Sequence, residues 1–508
     1  MPPKNESKII TLDYVLVLVF FVVEIFSVVV WSILNKGLPH WDMGRHFYSV
    51  LIYKTLWLEF FKGEKTIFNV IGFYNYYPPI VHNLALPFYF IFGKSKDAIL
   101  ISNFIWILVL IYSIYFLGLE LFGRKSALVS TVFLLASLML IGQFREFQVD
   151  MPLLSIFSLS LYLLIKTNFF RRRNFVIFLG LVLSIGMLVK WTFAAYAAPA
   201  VIIYFLYSLT KYKTERKQIS LNFLLALLIG FLVCGYWYLR NLASIREDFA
   251  ANGVNVAKSE GDPTGINLAS LTWYSKILLA NYLLLPLLTV LLFGLSVGII
   301  RKDLRRNSLF LLGLFIIYYL VFSILPNKDT RYIMPAFAVL ALIAGIGVLA
   351  LKQYWTVILA ITLAAFIINN LFISFGRYLP WQKNVGFSSS GYFSLTSDNG
   401  YTSSSPQAES CDIEKIISTV PAGKSVRLVG ENRLDFSGWA LAFYLRNSAR
   451  VWPGEGSDFQ NSDYLVLRSS GTADGFISEN SLTRYNVLEE KFSCTDASNV
   501  YILKANNF

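Results

Sequence analysis

Residues 11–46 read TLDYVLVLVFFVVEIFSVVVWSILNKGLPHWDMGRH. From Thr11 to Leu34 the run is almost uninterrupted and apolar, longer than the roughly 20 residues a helix needs to cross a bilayer. His40-Trp41-Asp42-Met43-Gly44-Arg45-His46 follows, setting a carboxylate, a cation and two imidazoles immediately beyond it. The run exceeds a signal-peptide core and lacks a small-residue cleavage site, so it reads as a retained span. Lys4 and Lys8 ahead of it place the N-terminus in the cytoplasm.

Composition extends that reading along the chain. The 508 residues are 56% hydrophobic and only 15% charged, and a mean hydropathy of +0.57 is too apolar for a water-soluble protein of this size. Ten further apolar runs are predicted to span, at roughly 98–121, 126–143, 149–166, 175–190, 192–209, 221–240, 274–300, 308–325, 332–351 and 354–376. Arg124-Lys125, Arg171-Arg172-Arg173, the Lys211–Lys217 segment, Arg301-Lys302 with Arg305-Arg306, and Lys352 then all fall on the side that holds the N-terminus. This accounts for the net charge of +13 without nucleic acid, for which no basic-aromatic surface pattern exists. The join at Lys190-Trp191 reads either as a boundary between two short spans or as a bent or re-entrant pair.

The predicted architecture is an all-α polytopic membrane domain over residues 1–376. A Gly/Ser/Thr/Asn-rich linker follows at 377–405, then an extracytoplasmic α/β domain at 406–508. In the tail, helices are expected near Ile413–Thr419 and Gly438–Leu445, and strands near Ser425–Val429, Asp463–Leu467 and Val500–Leu503. On the outer side lie the loop 35–97, the Arg145–Asp150 turn, the Asn241–Trp273 loop and the Pro326–Arg331 turn. The first of these is too long for a simple connector and holds two helix-like stretches, Asp42–Phe61 and Ile80–Phe92, suited to the membrane interface. Cys234 reads as packing inside a span, while Cys411 and Cys494 in the tail could pair. The sole Asn-x-Ser/Thr sequon, Asn5-Glu6-Ser7, lies at the cytoplasmic end, which leans towards a prokaryotic membrane.

Chemistry has to come from the outer polar residues. Asp42 can cap a helix beginning at Met43. It also has His46 one turn on, and all three histidines, His40, His46 and His82, fall in this loop. A carboxylate with imidazoles serves as a general base or binds a divalent metal; the pattern requires no cofactor, and a metal at His46 and His82 is the alternative use. Asp150, before Met151-Pro152, is likewise either an N-cap or a carboxylate meeting substrate. Tyr74-Asn75-Tyr76-Tyr77-Pro78-Pro79 suits an interfacial anchor or a wall against a sugar ring. Lys190 reads as a snorkelling cation or a ligand contact. Lys328 and Arg331, in Pro326-Asn327-Lys328-Asp329-Thr330-Arg331-Tyr332-Ile333-Met334-Pro335, are cations on a face where few are expected, explained by an anionic ligand or by pairing with Asp329.

Taken together, the Asp-bearing first outer loop, the Tyr-Pro-Pro segment, the Arg145-x-x-x-x-Asp150-x-Pro152 turn, the Lys190-Trp191 junction and the Lys328-Asp329-x-Arg331-Tyr332 turn resemble the GT-C class of membrane glycosyltransferases. Within it the likeness is to the protein O-mannosyltransferase and lipid A aminoarabinose transferase group. It covers residues 10 to 376. The resemblance implies a many-helix fold and transfer from a polyprenyl-monophosphate-sugar donor, with inversion, on the extracytoplasmic face. The acceptor would be a glycan, lipid or protein. By position, Asp42 and Asp150 are the implied catalytic carboxylates and Lys190, Lys328 and Arg331 the donor-phosphate cations. Arg45, Tyr76, Tyr77 and Tyr332 are candidate substrate contacts. The mannosyltransferases carry an Asp-Glu pair where this chain has Asp42-Met43, a departure that bears on the acceptor. The rival readings are a ligase or polymerase using a diphosphate-linked lipid and a transporter; the latter favours broken helices and mid-span charge pairs.

Overall fold

The structure is a computed structural model and describes residues 4–35, 41–251, 253, 256–258, 261–373, 419–421, 424–430, 449–452, 463–469, 485–493 and 499–506. The chain divides into two compact units: Met1–Val30 with Phe60–Leu84 and Leu100–Ser405, and Trp31–Glu59 with Ala85–Ile99 and Pro406–Phe508. His40, Cys411, Cys494, the linker at 377–405 and the expected helix near 438–445 lie outside the described residues.

All eleven stretches expected to span are helical in whole or large part. In order the helices are α1 (Lys4–Leu34), α2 (Trp41–Phe61), α3 (Ile67–Ile71), α4 (Ile80–Phe92), α5 (Lys96–Leu100) and α6 (Asn103–Phe122). They continue as α7 (Arg124–Leu135), α8 (Leu138–Phe144), α9 (Asp150–Lys166), α10 (Arg173–Val189), α11 (Phe193–Lys211) and α12 (Arg216–Ala251). The last are α13 (Leu268–Ile277), α14 (Leu285–Ile300), α15 (Lys302–Ile324), α16 (Met334–Ile346) and α17 (Trp355–Ile367). Among the described residues, six helices are long and apolar enough to cross a membrane, and two bent pairs bring the number to eight. Large apolar side chains stand exposed along these helices, among them Leu18, Val22 and Phe26 of α1 and Leu228, Phe231 and Leu232 of α12. Lipid, not water, suits such faces.

Helix α16 forms the centre: each of its thirteen residues is buried. Its alanines and Gly345 let neighbours approach closely. A Cβ at Gly345 would stand 2.6 Å from the Ser126 carbonyl oxygen of α7.

Three expectations are corrected. The run 274–300 is not one span: Leu268–Tyr282 and Leu285–Ile300 meet at 119°, because Pro286 sits in the first turn of α14 and would clash with a preceding carbonyl if the earlier helix continued. The run 126–143 is likewise bent by 72°, between α7 and α8. The loop expected at 241–273 gives up its first eleven residues to α12; polarity suggested a loop there, but no Gly or Pro falls between Tyr236 and Asn252 to stop the helix. Glu24, midway along α1, is buried, and so is Arg145. Arg145 donates to Ser27 Oγ at 3.0 Å.

The second unit contains α2 and a five-stranded sheet, in the order β2-β1-β3-β5-β4. Its strands are β1 (Lys424–Gly430), β2 (Ala449–Trp452), β3 (Tyr464–Ser469), β4 (Tyr485–Ser493) and β5 (Asn499–Ala505). Pairing of β1 with β2 and with β3 is parallel, while β3–β5 and β4–β5 are antiparallel. Strands β1, β3 and β5 match the expected ones; β2 and β4 were not legible. Leu465 and Leu467 pack with Leu503 and Tyr501 on one face, and Val466 and Ile502 are buried on the other, as strands covered on both sides require.

Candidate functional site

Three turns of the first unit meet at one place: the entry to α9, the exit from α10 and the segment before α16. Asp150 was read either as an N-cap or as a carboxylate meeting substrate. Val149 takes that position, and Asp150 is the first residue of the helix, its side chain free to reach across to α10. There Lys190 breaks the helix with extended backbone, φ −154° and ψ 133°, which resolves the Lys190-Trp191 join into two separate helices. Lys190 Nζ donates to Asp150 Oδ1 at 2.7 Å, with both side chains buried, 7% and 4% exposed. The same ammonium lies 5.1 Å from the Tyr332 ring centroid and 6.0 Å from that of Tyr77, where the negative ring faces attract a cation.

Arg331 completes the cluster. Nη1 stands 3.7 Å from Asp150 Oδ2 and also donates to Gln148 Oε1. Nε donates to both oxygens of Asp329, at 2.9 and 3.0 Å. Asp329 Oδ1 also accepts the backbone N–H of Arg331 at 2.8 Å, capping the short helix Thr330–Ile333. Burial works to raise the Asp329 pKa, but the Arg331 charge and hydrogen bonds outweigh it and hold the carboxyl below the usual range. Gln148 passes the contact on, donating to Glu146 Oε2 at 2.7 Å.

Three tyrosines from two other segments, α11 and the helix Leu268–Tyr282, lock this turn. Tyr196 donates to the Tyr332 carbonyl at 2.7 Å, Tyr282 to that of Thr330 at 2.8 Å and Tyr274 to that of Asp329 at 3.4 Å. All three rings are fully buried. These residues and Gln148 were missed in the sequence. A tyrosine inside an apolar run that must find a partner for its hydroxyl was the available signal.

The Tyr-Pro-Pro segment approaches from the 60–84 part of the unit. Tyr76 has φ 63°, a conformation costly for a residue with a bulky side chain and a frequent mark of functional sites. Its ring meets that of Tyr77 edge-on at 4.7 Å. The preceding residues are clamped to α12: Trp237 Nε1 donates to the Phe73 carbonyl at 3.1 Å and Asn241 Nδ2 to that of Gly72 at 3.2 Å. A Cβ on Gly72 would lie 2.6 Å from Arg240 Cδ, so glycine allows the close approach.

Lys328 stands apart from the cluster in its bonding. Its Nζ donates to the carbonyls of Ser323 and Leu325, at 2.9 and 2.8 Å, and closes the end of α15. Its backbone N–H donates to Asp262 Oδ2 at 2.7 Å. Burial pushes the Lys328 ammonium below its ordinary pKa, with the Asp262 charge opposing; burial raises the Asp262 carboxyl despite the Lys328 contacts.

Asp42, Arg45 and His46 lie on α2, in the second unit. The helix starts at Trp41, so Asp42 sits within its first turn rather than capping a helix at Met43. The carboxylate is well placed there against the helix dipole. Asp42 and Arg45 are half-buried and His46 is buried. His82 belongs to the first unit, its ring edge-on to Phe147 at 6.3 Å. Among the described residues no three His, Cys, Asp or Glu side chains converge as a metal site.

Comparison with known proteins follows the same lines. The dolichyl-phosphate-mannose-protein mannosyltransferase family profile matches residues 77–237, which include Tyr77, Asp150 and Lys190. An uncharacterized protein of Aquifex aeolicus is 28% identical over 309 residues, covering 56% of this chain and 58% of that relative. The crystal structure of ArnT from Cupriavidus metallidurans bound to undecaprenyl phosphate aligns over 96% of this chain and 97% of its own, with TM-score 0.62 and 14% identity. The Archaeoglobus fulgidus oligosaccharyltransferase in its apo form aligns over 89% of this chain and 69% of its own, with TM-score 0.54 and 11% identity. The chain is an integral membrane protein with an ArnT-like fold, and its resemblance to the GT-C class holds in both sequence profile and architecture.

Proposed function

We propose that the protein is a membrane glycosyltransferase that moves a sugar from a polyprenyl-monophosphate donor to an acceptor hydroxyl, with inversion, on the extracytoplasmic face. The observation that carries this reading is the buried Lys190–Asp150 pair beside Arg331, in a fold like that of ArnT bound to undecaprenyl phosphate.

In the reaction the acceptor oxygen attacks the anomeric carbon while the bond from that carbon to the phosphate oxygen breaks. The electron pair leaves with the polyprenyl phosphate. Lys190 and Arg331 offset the charge that develops there, a task best done by donors already fixed in place. Asp150 keeps the Lys190 ammonium oriented, and because it accepts one of the three N–H groups, others are left for phosphate oxygens. Tyr77 and Tyr332 wall the ammonium on two sides. Lys328, committed to backbone carbonyls, supports the turn instead of touching phosphate. Asp42 takes the acceptor proton, with Arg45 and His46 on the same helical face as helpers. The alternating basic loops support an extracytoplasmic site by the positive-inside rule.

The test is transfer by the purified protein from a panel of labelled polyprenyl-phosphate sugars to glycan, lipid and protein acceptors, with the released lipid identified. Monophosphate release supports the reading, and diphosphate release moves the protein to the ligase or polymerase class. In the same assay Asp42→Asn should fold normally and lose roughly 10²–10⁴-fold in turnover, about 3–5 kcal/mol. Turnover within a few-fold of wild type would remove Asp42 as the base.

A further inference from the structure

At the far end of α9 from Asp150, a cavity of about 420 Å³ opens where α6, α9, α11 and α15 converge. Arg172 and Arg306 line it, with Tyr207 and Asn307 beside them and Ile203 and Phe310 as apolar wall. Both arginines are exposed, and among the described residues neither guanidinium has a hydrogen-bond or ion-pair partner. Glu120, the one carboxylate in the lining, is paired with Lys166 at 3.2 Å. The cavity is therefore cationic, with two guanidinium forks uncommitted.

Its floor is an unusual turn. Asn168, Phe169 and Phe170 take φ values of 48°, 61° and 58°, three consecutive left-handed residues without a glycine. Such outliers persist only where their surroundings hold them. Here Phe169 stacks on Tyr204 at 5.0 Å and 8°, its N–H donates to the Tyr204 hydroxyl at 3.1 Å, and Asn222 donates to the Phe170 carbonyl at 2.6 Å. The turn carries Arg172 to the rim and fixes Asn168 and Phe169 in the lining. From the cavity, the exposed apolar residues Ile202, Ile203 and Leu206 continue along α11, a path for an acyl chain lying against the helix.

We propose that this cavity binds the phosphate headgroup of an anionic membrane lipid, with Arg172 and Arg306 clasping the phosphate and the acyl chains lying along α11. Guanidinium matches phosphate oxygens in geometry and charge, and basic pockets between spanning helices are suited to such headgroups. The site is separate from the Asp150 cluster and does not depend on the glycosyltransferase reading.

Native mass spectrometry of the full-length protein in detergent tests it, with phosphatidylglycerol and phosphatidylcholine of identical chains titrated against wild type and variants. Wild type should hold phosphatidylglycerol about tenfold more tightly, a difference of about 1.4 kcal/mol. R172Q/R306Q should reduce it to the phosphatidylcholine level, and R173Q, equal in charge loss per site but outside the cavity lining, should leave it within about twofold of wild type. I203W fills the cavity without removing a charge and should lower phosphatidylglycerol binding as the double variant does, so the test survives if one variant folds poorly. Equal binding of the two lipids, or an equal loss in R173Q, overturns the proposal. Displacement of the lipid by millimolar inorganic phosphate assigns the arginines to a free anion and overturns the lipid assignment.

Discussion

The two ends of α9 use cations in opposite ways. At its start Lys190 and Arg331 are held by Asp150 and Asp329, largely out of solvent. At its finish, about 24 Å away along the helix axis, Arg172 and Arg306 stand exposed and uncommitted, and the nearby Arg171–Glu215 pair at 2.7 Å is about one-third exposed on each side. Burial makes the difference. A desolvated pair is fixed in geometry and costly to break from one side, whereas an exposed pair exchanges readily with water and salt. The first arrangement suits a site that must stabilise charge during a reaction; the second suits reversible capture of a headgroup.

The largest way to break this contrast is Asp150→Ala. It leaves Lys190 charged and buried without its carboxylate and should cost about 3–5 kcal/mol in stability, with transfer activity lost. Melting in detergent and the transfer assay measure the two losses. A fully active, equally stable variant would mean that the pair is not set as described. Arg331→Lys keeps the charge but cannot bridge Asp329, Gln148 and Asp150 together; a loss of about 1.5–3 kcal/mol is expected from the hydrogen bonds to charged groups.

Acid sharpens the comparison. Because the folded Asp329 carboxyl lies below its unfolded value, its stabilising contribution is complete above the unfolded pKa of about 4 and is lost as pH falls through the lowered folded value. Melting temperature against pH should therefore fall less steeply on the acid side in Asp329→Asn than in wild type. At the opposite end, Arg171→Gln should change the melting temperature only slightly, and added salt should erase most of that difference. A loss as large as that of Asp150→Ala would place both ends in the same class.

Much of this was legible in the chain. The eleven apolar runs are helical, and the tail strands at 424–430, 464–469 and 499–505 fall where alternation put them. Asp150, Lys190, Arg331, Tyr332 and Tyr77 were singled out separately and are found together. The turn at Lys328 to Tyr332 was read as a choice between an anionic ligand and internal pairing. Arg331 does pair with Asp329, while also reaching Asp150 and Gln148. Lys328 shared its signal of an unexpected cation, but a short turn let its ammonium fold back on its own helix end. Which of two neighbouring cations meets a carboxylate depends on backbone direction over a few residues, and spacing does not report that.

By itself the sequence determined the membrane setting, the helical runs and the residue types able to carry charge at their ends. Those follow from local hydropathy, a property of neighbours along the chain. Tertiary structure alone decided that α14 turns away at Pro286, that Arg145 meets Ser27 of α1, that buried tyrosines from two segments secure the turn at Arg331, and that two arginines 134 positions apart share a cavity. These depend on which helix faces oppose one another, and packing between distant segments, not local composition, sets that choice.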